Sequence, residues 1–202
     1  MSRVRVAVID SGVNPAHPHV SGAVAGGIEI RSAGTGENYL DFLGHGTAVC
    51  GAILEVAPRC EILAVKVFHQ SLNTTIDQLV RALEWSLDQG AGIINLSLGT
   101  ANPAHRPLFD PLIARAAERG VAVVAAAMLD GMPSLPGAMD GVVAVKVDDT
   151  LAPDACRKQE RIVFASGYAR AIPGVPKERN LRGVSFAVAR VSGLLARGFV
   201  AL

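Results

Sequence analysis

Charge of one sign, aromatic residues, paired cysteines and long apolar runs are what this sequence has little of. Nineteen Lys and Arg stand against eighteen Asp and Glu over 202 residues, a formal charge of +1, and the arginines are scattered. No charge excess argues for nucleic acid or an anionic membrane as a partner. Cysteine occurs only at Cys50, Cys60 and Cys156. An odd count with no CxxC and no Cys/His spacing argues against a disulfide framework and against a zinc site, so all read as free thiols. No apolar run is long enough to span a bilayer, and Met1-Ser2-Arg3 leads straight into a strand pattern without a signal-peptide cleavage region. The expectation is a cytoplasmic protein. Neither GxGxxG after the first strand nor GxxxxGKS/T occurs, so a nucleotide-binding domain ranks last among the readings. The triplets Asn73-Thr74-Thr75 and Asn95-Leu96-Ser97 match a glycosylation acceptor by chance, the second lying in an apolar run that should be buried.

What the sequence has is apolar substance: 50% hydrophobic residues against 18% charged, enough for one globular domain over residues 1–202 with a full core. Val4-Arg5-Val6-Ala7-Val8-Ile9 is a β-branched run that ends on Asp10-Ser11-Gly12, a central strand delivering a carboxylate to its carboxyl edge. Similar runs recur over residues 62–67, 92–96, 121–126 and 142–147. Between them, residues 75–88 place Ile76, Leu79, Val80, Leu83 and Leu87 at helical spacing, and residues 108–119 form another helix pattern. Alternating strands and helices predict an α/β fold with a mostly parallel central sheet, helices on both faces, and a functional crevice beyond the carboxyl ends of the strands. Glycine- or proline-rich residues 21–38, 130–141 and 173–182 read as surface loops.

Three segments place reactive side chains at element boundaries: Val8-Ile9-Asp10-Ser11-Gly12, Gly44-His45-Gly46-Thr47 and Gly183-Val184-Ser185-Phe186-Ala187. Taken singly, each has a bland explanation as a loop cap, a turn or a helix N-cap. Together they supply a proton relay. A serine hydroxyl is too weak an acid to attack an amide unaided, so His45 would take its proton and Asp10 would orient and stabilise the imidazolium. Ser185 heads an apolar helix over residues 186–196, whose N-terminal dipole and the serine N–H favour a developing oxyanion.

The order Asp, His, Ser is that of subtilisins rather than of chymotrypsin or the α/β-hydrolases. Asp10-Ser11-Gly12-Val13 with His17-Pro18, Gly44-His45-Gly46-Thr47-Ala48-Val49-Cys50-Gly51, Val56-Ala57-Pro58 with residues 63–67, Glu84-Trp85, Ile94-Asn95-Leu96-Ser97-Leu98-Gly99 and the Ser185 block resemble, in order, the conserved blocks of the subtilisin-like serine peptidases. The resemblance implies a three-layer subtilisin-like fold and a serine endopeptidase with Asp10, His45 and Ser185 as its triad. It implies that Ser97, Leu98 and Gly99 pair with a peptide or protein substrate as an added strand. It makes Ala127, Met128 and Leu129 further substrate-binding candidates and implies no cofactor. His17 and His19 read as a loop feature rather than metal ligands, and residues 51–58 run on directly with too few oxygen ligands for calcium.

The chain departs from the family at the oxyanion position. Where subtilisin-like enzymes have Ala-Ala-Gly-Asn, the sequence reads Ala126-Ala127-Met128-Leu129. Leucine cannot donate, and loss of one such donor costs about a hundred- to a thousandfold in turnover. Asp130 next to it would repel an oxyanion. Met128 replaces a pocket glycine, which predicts a shallow or altered specificity pocket, and Val184 replaces the threonine before the serine. The expectation is therefore a peptidase that processes a specific peptide, with a catalytically impaired peptide- or partner-binding module as the alternative; any partner protein is unidentified by sequence.

Overall fold

The computed structural model describes residues 3–198. Its sheet is built from β1 (Arg5–Asp10), β2 (Val24–Arg31), β3 (Gly34–Gly36), β4 (Glu61–Lys66), β5 (Ile93–Leu96), β6 (Ala122–Ala126), β9 (Val142–Val147), β10 (Cys156–Gln159) and β11 (Ile162–Ala165), with a separate hairpin of β7 (Met128–Leu129) and β8 (Met132–Pro133). The order across the sheet is β10-β11-β9-β6-β5-β1-β4-β2-β3. Every pair inside the two edge strands is parallel, and β3 and β10 add as antiparallel edges. Helices α1 (His45–Val56), α2 (Ile76–Asp88), α3 (Arg106–Glu118) and α4 (Val184–Ala196) cover it. This is the α/β arrangement that the strand and helix alternation predicts.

Period-two alternation divides the core. In β1, Val6 and Val8 join the cluster under α1 and α4, whereas Ala7 and Ile9 join the cluster under α2 and α3. Both faces of a parallel sheet are thus roofed, so its strands are apolar throughout rather than alternating. β1 lies between β4 and β5, in register Asp10↔Lys66 and Ile9↔Leu96, so the carboxyl ends of all three strands open on one edge.

The predicted strands appear within a residue of their expected bounds. Helix α2 begins where its capping signal says: Thr75 accepts from Gln78 N–H, and the Gln78 side chain accepts from Thr75 N–H. Helix α3 starts two residues before residue 108, because Pro107 falls in the first turn, where its missing N–H costs nothing.

Two loop expectations need correction. Residues 21–38 contain β2 and β3, and Gly27 among their glycines serves packing: a Cβ there would lie 2.4 Å from the Ala64 carbonyl oxygen and 2.8 Å from the Tyr39 ring. Residues 130–141 are only partly surface, since Ser134, Leu135 and Met139 are buried and Leu135 exchanges backbone hydrogen bonds with Thr100. The β10–β11 hairpin has no counterpart in the sequence reading, because its exposed strand carries Arg157, Lys158 and Gln159 rather than an apolar run. Residues 173–182 do form an exposed segment around a short 3₁₀ turn at Lys177–Arg179.

Candidate active site

Asp10 ends β1 fully buried, and its Oδ1 lies 2.7 Å from His45 Nδ1. A buried carboxylate accepts only, so the imidazole proton sits on Nδ1 and leaves Nε2 with a free lone pair. The same Oδ1 accepts from Ser11 N–H at 2.7 Å, while Oδ2 has no partner among the described residues. Close approach of α1 to β1 depends on Gly46, where a Cβ would lie 2.2 Å from the Gly12 carbonyl oxygen and 3.2 Å from the Asp10 side chain. Gly12, at φ 97°, faces the Tyr39 carbonyl oxygen, 2.2 Å from where its own Cβ would be. That backbone angle is one only glycine adopts freely.

His45 is the first residue of α1, and Gly44 before it offers no side-chain cap. Asp41 does that work from outside the helix. Its Oδ1 accepts from Ser11 Oγ (2.9 Å), Leu43 N (3.0 Å) and Gly44 N (2.8 Å), and its Oδ2 from Thr47 N (2.9 Å) and Thr47 Oγ1 (2.7 Å). Ser11 Oγ in turn accepts from Gly46 N–H at 2.9 Å. A carboxylate at a helix N-terminus is favourable both as a hydrogen-bond acceptor and against the helix dipole. Burial works against a charged His45, but the hydrogen bond and negative charge of Asp10, aided by Asp41, prevail and raise its pKa above 6.5.

Ser185 occupies the second position of α4, where a helix N–H has no intrahelical acceptor and so points outward as a donor. Helix α4 is fixed to the sheet by a buried polar chain: Ser192 Oγ donates to Asn95 Oδ1 (3.0 Å), and Asn95 Nδ2 donates to Ser97 Oγ (3.3 Å). Asn95 is fully buried, as the apolar run around it requires. Helix α4 is tied to α1 by Arg190, only 1% exposed, whose Nη1 sits 2.5 Å from Glu55 Oε2. The helices that carry His45 and Ser185 therefore lie side by side on one face of the sheet.

Asp10, His45 and Ser185 line one cleft of about 340 Å³, together with Ser97, Leu98 and Gly99. Ser185 forms no hydrogen bond with the imidazole, whose ring instead packs 5.9 Å from that of Phe186. Leu129 and Asp130 form the opposing wall. Asp130 (φ 48°) and Gly131 (φ 77°) make the two-residue turn of the β7–β8 hairpin, an Asp-Gly pair suited to positive φ at both positions. That turn presents an aliphatic side chain and a carboxylate to the cleft. Ala127 and Met128 do not line it, contrary to the sequence expectation: Ala127 is held inside by bonds to Val145 and Ser134, and Met128 pairs with Pro133.

Sequence reasoning missed Asp41, although an acidic residue four positions before His45 was the available signal for a helix start. It also missed Leu72, Asn73 and Thr74, which line the cleft from the segment before α2 and carry no motif beyond a chance glycosylation-like triplet. The cysteines stay out of the chemistry. Burial raises Cys50 well above the ordinary thiol range, pushes Cys60 up to about 11 and raises Cys156 less. His17 and His19 stack edge to face 5.0 Å apart, and among the described residues no three His, Cys, Asp or Glu side chains gather as metal ligands.

Comparison with known proteins gives this geometry its relatives. Residues 2–197 match the subtilase family as a whole. The chain is 32% identical to M-protease of Shouchella clausii over 96% of its own length and 53% of that protein, and 32% identical to subtilisin DY of Bacillus licheniformis over 96% and 76%. It is 34% identical to minor extracellular protease Epr of Bacillus subtilis over 70% of its own length, but covers only 23% of that relative. It thus spans from a quarter to three quarters of these relatives. With the full set of sequence blocks in order and the corresponding side chains on one edge of a parallel sheet, the chain belongs to the subtilase family.

Proposed function

We propose that this chain is a serine endopeptidase that cleaves a peptide or protein substrate by acyl transfer, with Asp10, His45 and Ser185 as its catalytic residues. The observation that carries the proposal is the 2.7 Å contact between Asp10 Oδ1 and His45 Nδ1 in a cleft that Ser185 shares. In this reading Nε2 takes the Ser185 proton as Oγ attacks the scissile carbonyl, and the imidazolium then protonates the leaving amine. Water repeats the sequence on the acyl-enzyme. The substrate lies along Ser97, Leu98 and Gly99 as an added strand, and the Ser185 N–H donates to the oxyanion.

A second reading, a peptide-binding member with weak or no turnover, is favoured by Leu129 and Asp130 on the cleft wall. Leucine gives the oxyanion nothing and a carboxylate opposes it. A fluorophosphonate probe separates the readings. Covalent labelling that disappears in Ser185→Ala and His45→Ala, with hydrolysis of a peptide library by the parent protein, supports the peptidase. Absence of Ser185-dependent labelling and cleavage, with retained peptide binding, supports the second.

A further inference from the structure

A second cavity, about 460 Å³, is lined in part by Thr47 and Ala48 of α1. His17, His19 and Arg170 supply its polar wall, and Ile172 and Leu181, 46% and 54% exposed, supply an apolar one. The guanidinium there lacks a counter-charge. Arg170 donates only to the His19 carbonyl oxygen (3.3 Å) and meets no carboxylate among the described residues. The two acidic groups nearby are already engaged: Asp41 accepts from Ser11, Leu43, Gly44 and Thr47, and Glu55 is paired with Arg190. Burial first, then the charges of Arg170 and His17, hold the His19 pKa below its ordinary value, against the opposing charge of Glu55.

The cavity is lined by residues close in sequence to two of the catalytic candidates. Gly44, beside His45, is one of its lining residues, and Leu181 precedes Ser185 by one turn of chain. At both Gly44 and Gly183 a Cβ would meet nothing within 4 Å, so the ground between His45 and Ser185 on this side is open. A peptide that pairs with Ser97–Gly99 and presents its carbonyl to Ser185 can continue past the cleft in this direction.

We propose that this cavity binds a carboxylate on the leaving-group side of the substrate, carried by an acidic side chain, through Arg170 with His17 and His19, while Ile172 and Leu181 hold its aliphatic stem. The placement of the carboxylate relative to the scissile bond rests on the peptidase reading; the binding itself does not. The test uses Ser185→Ala protein with His ring resonances followed by NMR, and three hexapeptides: an amidated one with a central Asp-Glu, its amidated Asn-Gln counterpart, and the Asn-Gln peptide with a free C-terminal carboxylate. The expected result is a shift of the His17 and His19 signals with the Asp-Glu peptide alone, with affinity lowered about tenfold or more by Arg170→Gln. Arg170→Ala, with its fold checked by circular dichroism, repeats the measurement. Equal response to the amidated Asn-Gln peptide, no His response to any peptide, or unchanged affinity in both Arg170 variants overturns the proposal. A response to the free C-terminus alone replaces the acidic side chain with a chain end and overturns that part. Cleavage of the Asp-Glu and Asn-Gln peptides by the parent protein keeps the two ideas apart. Turnover without acidic preference removes the pocket and leaves the peptidase, whereas carboxylate binding without turnover of any peptide leaves the pocket and removes the peptidase.

Discussion

On the proposed peptidase reading, replacing Leu129 with asparagine should raise turnover. Leu129 shares the cleft wall with Ser185, and its backbone is held by the ladder of a two-residue hairpin, so an amide introduced there inherits a fixed position. One preorganised donor to a developing oxyanion is worth about 2.7–4 kcal/mol, a hundred- to a thousandfold in turnover. The substitution also removes a half-buried side chain that packs against the core under α4, a loss of about 1 kcal/mol that lowers Tm by a few degrees. The two effects are separable: peptide amide hydrolysis reads the first, thermal unfolding the second, and fluorophosphonate labelling confirms that Ser185 is competent in both proteins. A Leu129→Asn protein that folds, labels at Ser185 and hydrolyses peptides no more than about twofold faster than the parent refutes the reasoning. The oxyanion would then develop away from position 129, or another donor would already serve it.

The raised pKa of His45 places the acid limb of kcat/KM above pH 6.5, because the base must be neutral to accept the serine proton. For the same reason, protonated His45 favours the fold below pH 6.5, and that contribution fades as pH rises through the folded-state pKa, which paired activity and Tm profiles measure. Asp41→Asn should lower both stability and the acid limb. It removes a charge that supports the imidazolium and weakens several hydrogen bonds at the start of α1, a cost of about 1.5–3 kcal/mol read as a drop in Tm. A Tm unchanged within a degree or so would remove Asp41 from its role.

The parts of the fold that were legible in the sequence are those with local causes. β-branched runs at Val4–Ile9 and Val142–Val147, and the Thr75/Gln78 capping pair, specify their elements without help from the rest of the chain. The β2 strand was illegible because its glycines read as loop signals, whereas Gly27 is there to admit Ala64 and Tyr39 from elsewhere in the sequence. The site divides the same way. Asp10, His45 and Ser185 stand out through their flanking glycines and element ends, and the contact between Asp10 and His45 agrees with that expectation. Ala127 and Met128 entered the site through the family resemblance, but Ala127 is held by backbone bonds to Val145 and Ser134, and Met128, next to Leu129 in a strand, faces the other way. Asp41 was invisible because its role is the sum of bonds to residues on either side of it, each unremarkable alone.

The tie between Arg190 and Glu55 sits far from the helix end that bears His45: ten residues of α1 separate them, a rise of about 15 Å. Slackening that tie would therefore reach the imidazole only through the seam between α1 and α4, whose side chains share one apolar cluster.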